Sequence, residues 1–172
     1  MGADSGRKDM QDIVTLAMNP SIDVSTSTHH VVPVEKLRCG AIRRDPGGGG
    51  INVARVVRRF GADVTAIYPI GGSMGRLLRH LVDAEDIASI PVQISEETRE
   101  SFTVFEESTE QQYRFVLPGP HVSQQEYRNC LHALDSLDRP PGFLVVSGSL
   151  PPVFPTTSMH KSSGARRRGA RA

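Results

Sequence analysis

Four consecutive glycines, Gly47 to Gly50, run straight into Ile51-Asn52-Val53-Ala54, and no other stretch restricts the fold as much. Without side chains, the backbone of the run can take positive φ values and approach a ligand closely. The residues after the run read as a helix, because Val53, Val56, Val57 and Phe60 fall at i, i+3, i+4 and i+7, one apolar stripe. Glycines that open a helix leave its first backbone N–H groups unpaired, a natural seat for an oxyanion or a hydroxyl. Asn52, one step into that helix, both donates and accepts, which suits a polyol better than a bare anion. A flexible surface loop before an ordinary helix is the plainer account of the same residues.

Strand-like and helix-like runs alternate around this turn. Ile13-Val14-Thr15-Leu16-Ala17 is a short apolar strand, ended by the turn pair Asn19-Pro20. Gly61-Ala62 closes the first helix, with glycine where a helix C-terminus favours it. Val64 to Tyr68 is the next strand, and Pro69-Ile70-Gly71-Gly72 the turn after it, which could line a ligand crevice or be a plain connection. A second helix over Met74 to Asp83 carries Met74, Leu77, Leu78, Leu81 and Val82 on one face. Ser123 and Glu126 form a capping box for a third helix, expected to run to about Leu137 with Tyr127, Cys130, Leu131, Leu134 and Leu137 inward. Phe143 to Val146 is a further strand, leading into Ser147-Gly148-Ser149-Leu150-Pro151-Pro152. The alternation predicts an α/β fold with an open, mostly parallel sheet.

Two segments break the rhythm. Ser25 to Val34, rich in Thr, Ser and Val, reads as peripheral β-structure. Adjacent His29 and His30 would point to opposite faces of such a strand and make a poor metal pair. From Ile90 onward a new pattern begins, and residues 101–117 read as a hairpin turning at Glu107-Ser108-Thr109-Glu110. Apolar residues lie on both of its faces, so both must be buried, against a lid and domain or against a second subunit.

Composition bounds the function classes. The 172 residues contain two distant cysteines, Cys39 and Cys130, with no disulfide framework or metal-ligand spacing. No signal peptide and no run of membrane-spanning length is present, so the cytosol is the expected compartment. The net charge of +1 conceals five basic and no acidic residues in 152–172; removing them leaves 15 basic against 19 acidic, about −4. A mildly acidic folded part argues against a nucleic-acid partner. Residues 153–172 lack periodicity and end in Arg-Arg-Arg-Gly-Ala-Arg-Ala, which predicts disorder.

Candidate ligand groups lie at strand ends, where open α/β folds bind ligands. Asp23, three residues past Pro20, is placed to hold hydroxyls or to cap a turn. Lys36 and Arg38 form a small cationic pair, readable as solvated charge or as phosphate ligands. Arg99 has a planar fork suited to phosphate, or is a surface arginine.

Five ordered blocks resemble the PfkB family of sugar kinases, the ribokinase-like fold, and its phosphofructokinases most of all. They are Leu16-Ala17-Met18-Asn19-Pro20-Ser21-Ile22-Asp23, Lys36-Leu37-Arg38-Cys39, Pro46 to Arg55, Gln112 to Pro120 and Ser147 to Pro152. The resemblance covers residues 12–152 as the N-terminal part of such a kinase. It implies an open α/β sheet plus a β-lid built from about 25–34 and 101–116, with homodimers formed lid to lid. It further implies that Asp23, Gly48, Gly49 and Asn52 hold the sugar, with Lys36, Arg38 and Arg99 near its phosphate and Ser147 near the same ligand. ATP and Mg2+ are the implied cofactors, and fructose 6-phosphate or a related sugar phosphate the implied acceptor.

The family's late Gly-Ala-Gly-Asp segment, whose aspartate is the catalytic base, occurs nowhere in these residues. Val153 also replaces the glycine that normally follows Pro151-Pro152. The expectation is a truncated kinase, possessing the acceptor site and lacking the catalytic base and ATP site, with a frameshift near Pro152. Two other classes remain: a non-catalytic sugar-phosphate-binding or dimerisation module, and a nucleotide-binding protein. Against the latter, the glycine run lacks the Gly-Lys-Ser/Thr ending of a P-loop.

Overall fold

The computed structural model describes residues 13–152. Eleven elements follow one another: β1 (Ile13–Leu16), β2 (Ser21–Thr28), β3 (Arg43–Gly47), α1 (Gly49–Arg59), β4 (Val64–Ile70), α2 (Gly72–Ala84), β5 (Ala88–Gln93), β6 (Arg99–Glu106), β7 (Gln111–Val116), α3 (Gln124–Asp135) and β8 (Phe143–Val146). They form two four-stranded sheets, ordered β5-β4-β1-β8 and β3-β2-β6-β7. All three pairings of the first sheet are parallel. The second is mixed, with β2 parallel to β6 and antiparallel to β3, and β7 antiparallel to β6. The expected α/β architecture with an additional small sheet is therefore what the chain adopts.

Central β1 is apolar on both faces because helices cover both. On one side Ile13 and Ala17 join Ile51, Ala54, Ala66, Tyr68, Leu78 and Val82 beneath α1 and α2. On the other, Val14 and Leu16 pack with Ile67, Cys130 and Leu134 of the α3 layer. Burial, helped by the nearby Glu126 charge, pushes the Cys130 thiol up to about 11, so it serves as a small hydrophobe.

Several boundaries differ from the sequence expectation. β2 starts at Ser21 and ends at Thr28, so Asp23 sits on a strand and 29–34 is not a strand. Charged β3 was not anticipated; it is an edge strand, the place in a sheet where a proline such as Pro46 is tolerated. β5 joins the parallel sheet, and β4 extends through Pro69 to Ile70. α1 buries Gly50, Ile51 and Ala54, while Val56 is exposed and Phe60 is 86% exposed. The cause is close approach: a Cβ on Gly50 would lie 2.9 Å from the Leu16 carbonyl. The smallest face therefore turns inward; of the expected stripe Val57 still packs against the core, while Val56 and Phe60 turn out. In α3, Cys130 is buried, but Tyr127 and Leu131 are largely exposed. The expected disordered tail, 153–172, lies outside the described residues.

Candidate functional site

Three chain segments meet at the N-terminus of α1. Gly48, at φ 108°, is its cap residue; no side chain caps the helix, and no acidic residue lies in its first turn. The Gly50 N–H donates to the Ser147 carbonyl at 2.9 Å, and the Ser147 N–H to the Leu16 carbonyl at 3.2 Å. A Cβ on Gly49 would come within 2.6 Å of both Gly148 N and Ser147 Oγ. Only glycine therefore lets α1 start against the strand that ends at Val146. The ends of β1 and β8 and the start of α1 form one corner, where the Gly50 N–H is taken by the Ser147 carbonyl and no side chain caps the other first-turn N–H groups.

The mixed sheet brings its polar face to this corner. Asp23 stands directly opposite Ser101 of β6 and Asp45 of β3, and Arg99 stands opposite Ser21. The Asp23 carboxylate lies against the Gly47 backbone, where any Cβ would overlap it. Ser21 Oγ donates to Asp23 Oδ1 at 2.8 Å. Arg99 Nη1 donates to Ser101 Oγ at 3.4 Å and to the Leu117 carbonyl at 3.3 Å, and Nη2 to the Asn19 carbonyl at 3.2 Å. Its Nε is buried without a partner among the described residues. Asn52 lies on the first turn of α1 with an exposed side chain; its N–H donates to the Gly48 carbonyl at 2.9 Å.

Gly48, Gly49 and Ser147 thus meet at the start of α1, with Asp23 against the adjoining Gly47, Asn52 on the same helix turn and Arg99 tied to the end of β1 through the Asn19 carbonyl. Lys36 and Arg38 do not join them. Both are exposed on the 29–42 segment, which is fixed to the far end of β2. Gly40 N–H donates to the Ser27 carbonyl at 2.9 Å, and Thr28 Oγ1 to the Arg38 carbonyl at 3.4 Å. Buried Glu106 holds the start of that segment by accepting from Val31 N–H at 2.7 Å. Thr109 and Val31 N–H hold the Glu106 carboxyl below its ordinary range. Five residues of strand separate Thr28 from Asp23, roughly 16 Å.

Sequence reasoning missed Asn19. It is 8% exposed, and its Nδ2 donates to Ser149 Oγ at 3.1 Å, tying β1's end to the segment after β8. Its Oδ1 is buried without a partner among the described residues and presses against Gly119. An Asn-Pro pair reads locally as a turn, so nothing in the neighbouring letters signals a contact 130 residues away. The Gly71-Gly72 turn, considered for the ligand crevice, is occupied instead. Glu97 Oε1 accepts from Met74 N–H at 2.6 Å and Ser73 Oγ at 2.9 Å, capping α2. Those bonds hold the Glu97 carboxyl below its ordinary range.

The pattern of the pfkB family of carbohydrate kinases matches residues 11–170. The chain is 51% identical over 140 residues to ATP-dependent 6-phosphofructokinase isozyme 2 of Mycobacterium tuberculosis, covering 81% of this chain and 41% of that one. It is 41% identical over 143 residues to the isozyme 2 of Escherichia coli, covering 83% and 46%. Its fold matches the crystal structure of phosphofructokinase-2 from Escherichia coli in complex with fructose-6-phosphate, with a TM-score of 0.79 and 39% identity, over 87% of this chain and 49% of that one. The chain therefore spans less than half the length of the relatives it matches.

Proposed function

The chain belongs to the pfkB family of carbohydrate kinases, and from that premise we propose that it builds the acceptor side of an ATP-dependent sugar-phosphate kinase, with fructose 6-phosphate as the acceptor. The observation that carries this reading is the convergence of Asp23 with the side-chain-free N-terminus of α1. A carboxylate accepts from sugar hydroxyls, and unpaired backbone N–H groups donate to them, so the corner offers both halves of polyol recognition. Gly48 and Gly49 admit the sugar close to the backbone, Asn52 and Ser147 add groups that donate and accept, and Arg99 faces the phosphate.

In this reading the mixed sheet is the lid over the site, and residues 12–152 are the N-terminal part of the kinase domain. Lys36 and Arg38 are too far along β2 to join the corner of their own chain. A homodimer formed lid to lid would supply them from a second copy. The half-exposed cross-strand pair Phe102–Phe115 gives such a dimer an apolar contact. The partners in this reading are a sugar phosphate and a second copy of the chain; among the described residues no helix is long and apolar enough to cross a membrane.

ATP supplies the phosphoryl group that the sugar hydroxyl takes up. Among the described residues no three His, Cys, Asp or Glu side chains converge as a metal site; Mg2+ would come with the ATP phosphates, which need few side chains to hold it. What the chain's own residues do is bind and orient the acceptor. Orientation without a proton acceptor or a charge clamp gives little rate, so a coupled assay on residues 1–172 is expected to show no ATP-dependent turnover. Measurable turnover would place a base among these residues.

Calorimetry with fructose 6-phosphate and no nucleotide tests the site. Micromolar binding that weakens at least about tenfold, roughly 1.4 kcal/mol, in an Asp23→Ala/Asn52→Ala double variant is expected. Equal affinity in the two proteins would overturn the assignment.

A further inference from the structure

Arg55 lies outside the corner, on the flank of α1 that faces both the second sheet and the end of α2. Its side chain is 15% exposed, so its charge is largely removed from water and must be matched. Nε donates to Glu85 Oε1 at 2.9 Å, beside α2's C-terminus. Nη1 donates to the Pro46 carbonyl at 3.4 Å, and Nη2 lies 3.6 Å from Asp45 Oδ1. One guanidinium thus joins the parallel-sheet layer to β3. Hydrogen bonding from Arg55, with Arg59 adding to the pull, holds the Glu85 carboxyl below its ordinary range.

The contact bears on the sugar site through register. Asp45 stands directly opposite Asp23, and like charges so placed repel. Arg43, whose Nε is 2.8 Å from Asp45 Oδ2, and Arg55 draw the Asp45 carboxylate to their side. Pro46, whose carbonyl Arg55 grips, precedes Gly47, the backbone against which the Asp23 carboxylate rests. We propose that Arg55 is a positioning residue: it clamps β3 to the helical layer and so fixes the floor and the orientation of Asp23 in the sugar-phosphate site. This rests on the acceptor-site reading above for its functional consequence, though not for the clamp itself.

The alternative is a tie between α1 and α2 that contributes only stability, and two variants of the full chain separate the two. Arg55→Gln removes every contact, whereas Glu85→Gln keeps an acceptor for Arg55 and weakens only the helix-side charge pair. Hydrogen exchange read by mass spectrometry is expected to quicken at least about tenfold in Arg43–Gly47 and Ser21–Ser25 for Arg55→Gln, with Val64–Ile70 unchanged. Fructose 6-phosphate affinity falls about tenfold in the same variant. Glu85→Gln lowers the melting temperature without either change. If Arg55→Gln does not fold, Asp45→Asn weakens the ion pairs of β3 to Arg55 and Arg43 while leaving the Pro46 carbonyl contact, and gives the same exchange pattern to a smaller degree. Wild-type exchange rates in β3 for folded Arg55→Gln or Asp45→Asn, or the same double effect from Glu85→Gln, overturn the proposal. A wild-type chain that does not bind fructose 6-phosphate refutes the sugar reading, and the exchange result then decides the clamp by itself.

Discussion

Two glycines of the same helix are needed for opposite reasons, and their substitution separates binding from stability. Gly49 is required by contact, since a Cβ there would press 2.6 Å from Ser147 Oγ and Gly148 N. Gly61 is required by conformation, with φ +79° and no atom within 4 Å of an added Cβ. Gly49→Ala is expected to cost about 1–3 kcal/mol in urea unfolding, as overpacking does, and to weaken fructose 6-phosphate binding. Gly61→Ala is expected to cost about 1–2 kcal/mol from the left-handed backbone alone, with affinity unchanged. Equal loss of affinity in both variants would mean that global stability, not the corner, governs binding. Gly61 was legible because its requirement is local. The glycine run was legible as a run, but only Gly48, at φ +108°, has a local reason, while Gly47, Gly49 and Gly50 are required by contacts with Asp23, Ser147–Gly148 and Leu16. Asn19 was illegible because its partners, Ser149 and Leu150, are far along the chain. The converse holds for Lys36 and Arg38, whose chemistry suits a phosphate although their place in the chain's own fold lies away from the corner.

Among the described residues, three helix N-termini show how one local problem receives three solutions, only one of which leaves the first turn without a side-chain cap. α1 has no side-chain cap, α2 borrows Glu97 from the segment before β6, and α3 carries its own capping box. That box was readable as Ser123 followed by Glu126; the Glu97 cap was not, because it comes from 23 residues away. Likewise β3 escaped notice because Arg43-Arg44-Asp45-Pro46 has neither alternation nor β-propensity, and pairing with β2 alone makes it a strand. Burial opposes ionisation of Glu126, but bonds from the Ser123 side chain, the Ser123 N–H and the Ser95 N–H outweigh it and bring the carboxyl down to about 2. A carboxyl lowered from 4.5 contributes stability that is complete above about pH 4.5 and is lost as the pH falls toward about 2. Acid unfolding followed by circular dichroism is therefore expected to flatten over that window in Glu126→Gln relative to wild type. Ser123→Ala should cost about 1 kcal/mol at neutral pH. An unchanged acid limb in Glu126→Gln would show that Glu85, Glu97 and Glu106, lowered in the same direction, carry the response instead.

At the scale of the whole molecule, both edge strands of the parallel sheet, β5 and β8, lack an outer neighbour among the described residues, and β8 is the more exposed of the two. Among the described residues β8 pairs only with β1, and three of its four side chains are exposed, including Phe143 at 59%. Phe60 and Val56 project from α1, whose inward face is elsewhere, so the helical layer adds further exposed apolar area. An unpaired edge with exposed apolar side chains is a template for association. This surface competes with the lid for any self-association of residues 1–172, and the two can be told apart by where charge is introduced. Leu144→Lys with Phe60→Glu places charge on the open edge and helix flank, far from Phe102 and Phe115 of the mixed sheet. Light scattering coupled to size exclusion is expected to show large aggregates of the wild-type chain replaced by a discrete species in the double variant, with the circular dichroism spectrum retained. A dimer remaining after that change would then be assigned to the lid, and Phe115→Lys should dissociate it. Aggregation that survives Leu144→Lys/Phe60→Glu but disappears with Phe115→Lys would reverse the assignment, making the mixed sheet the adhesive face and leaving the open edge inert.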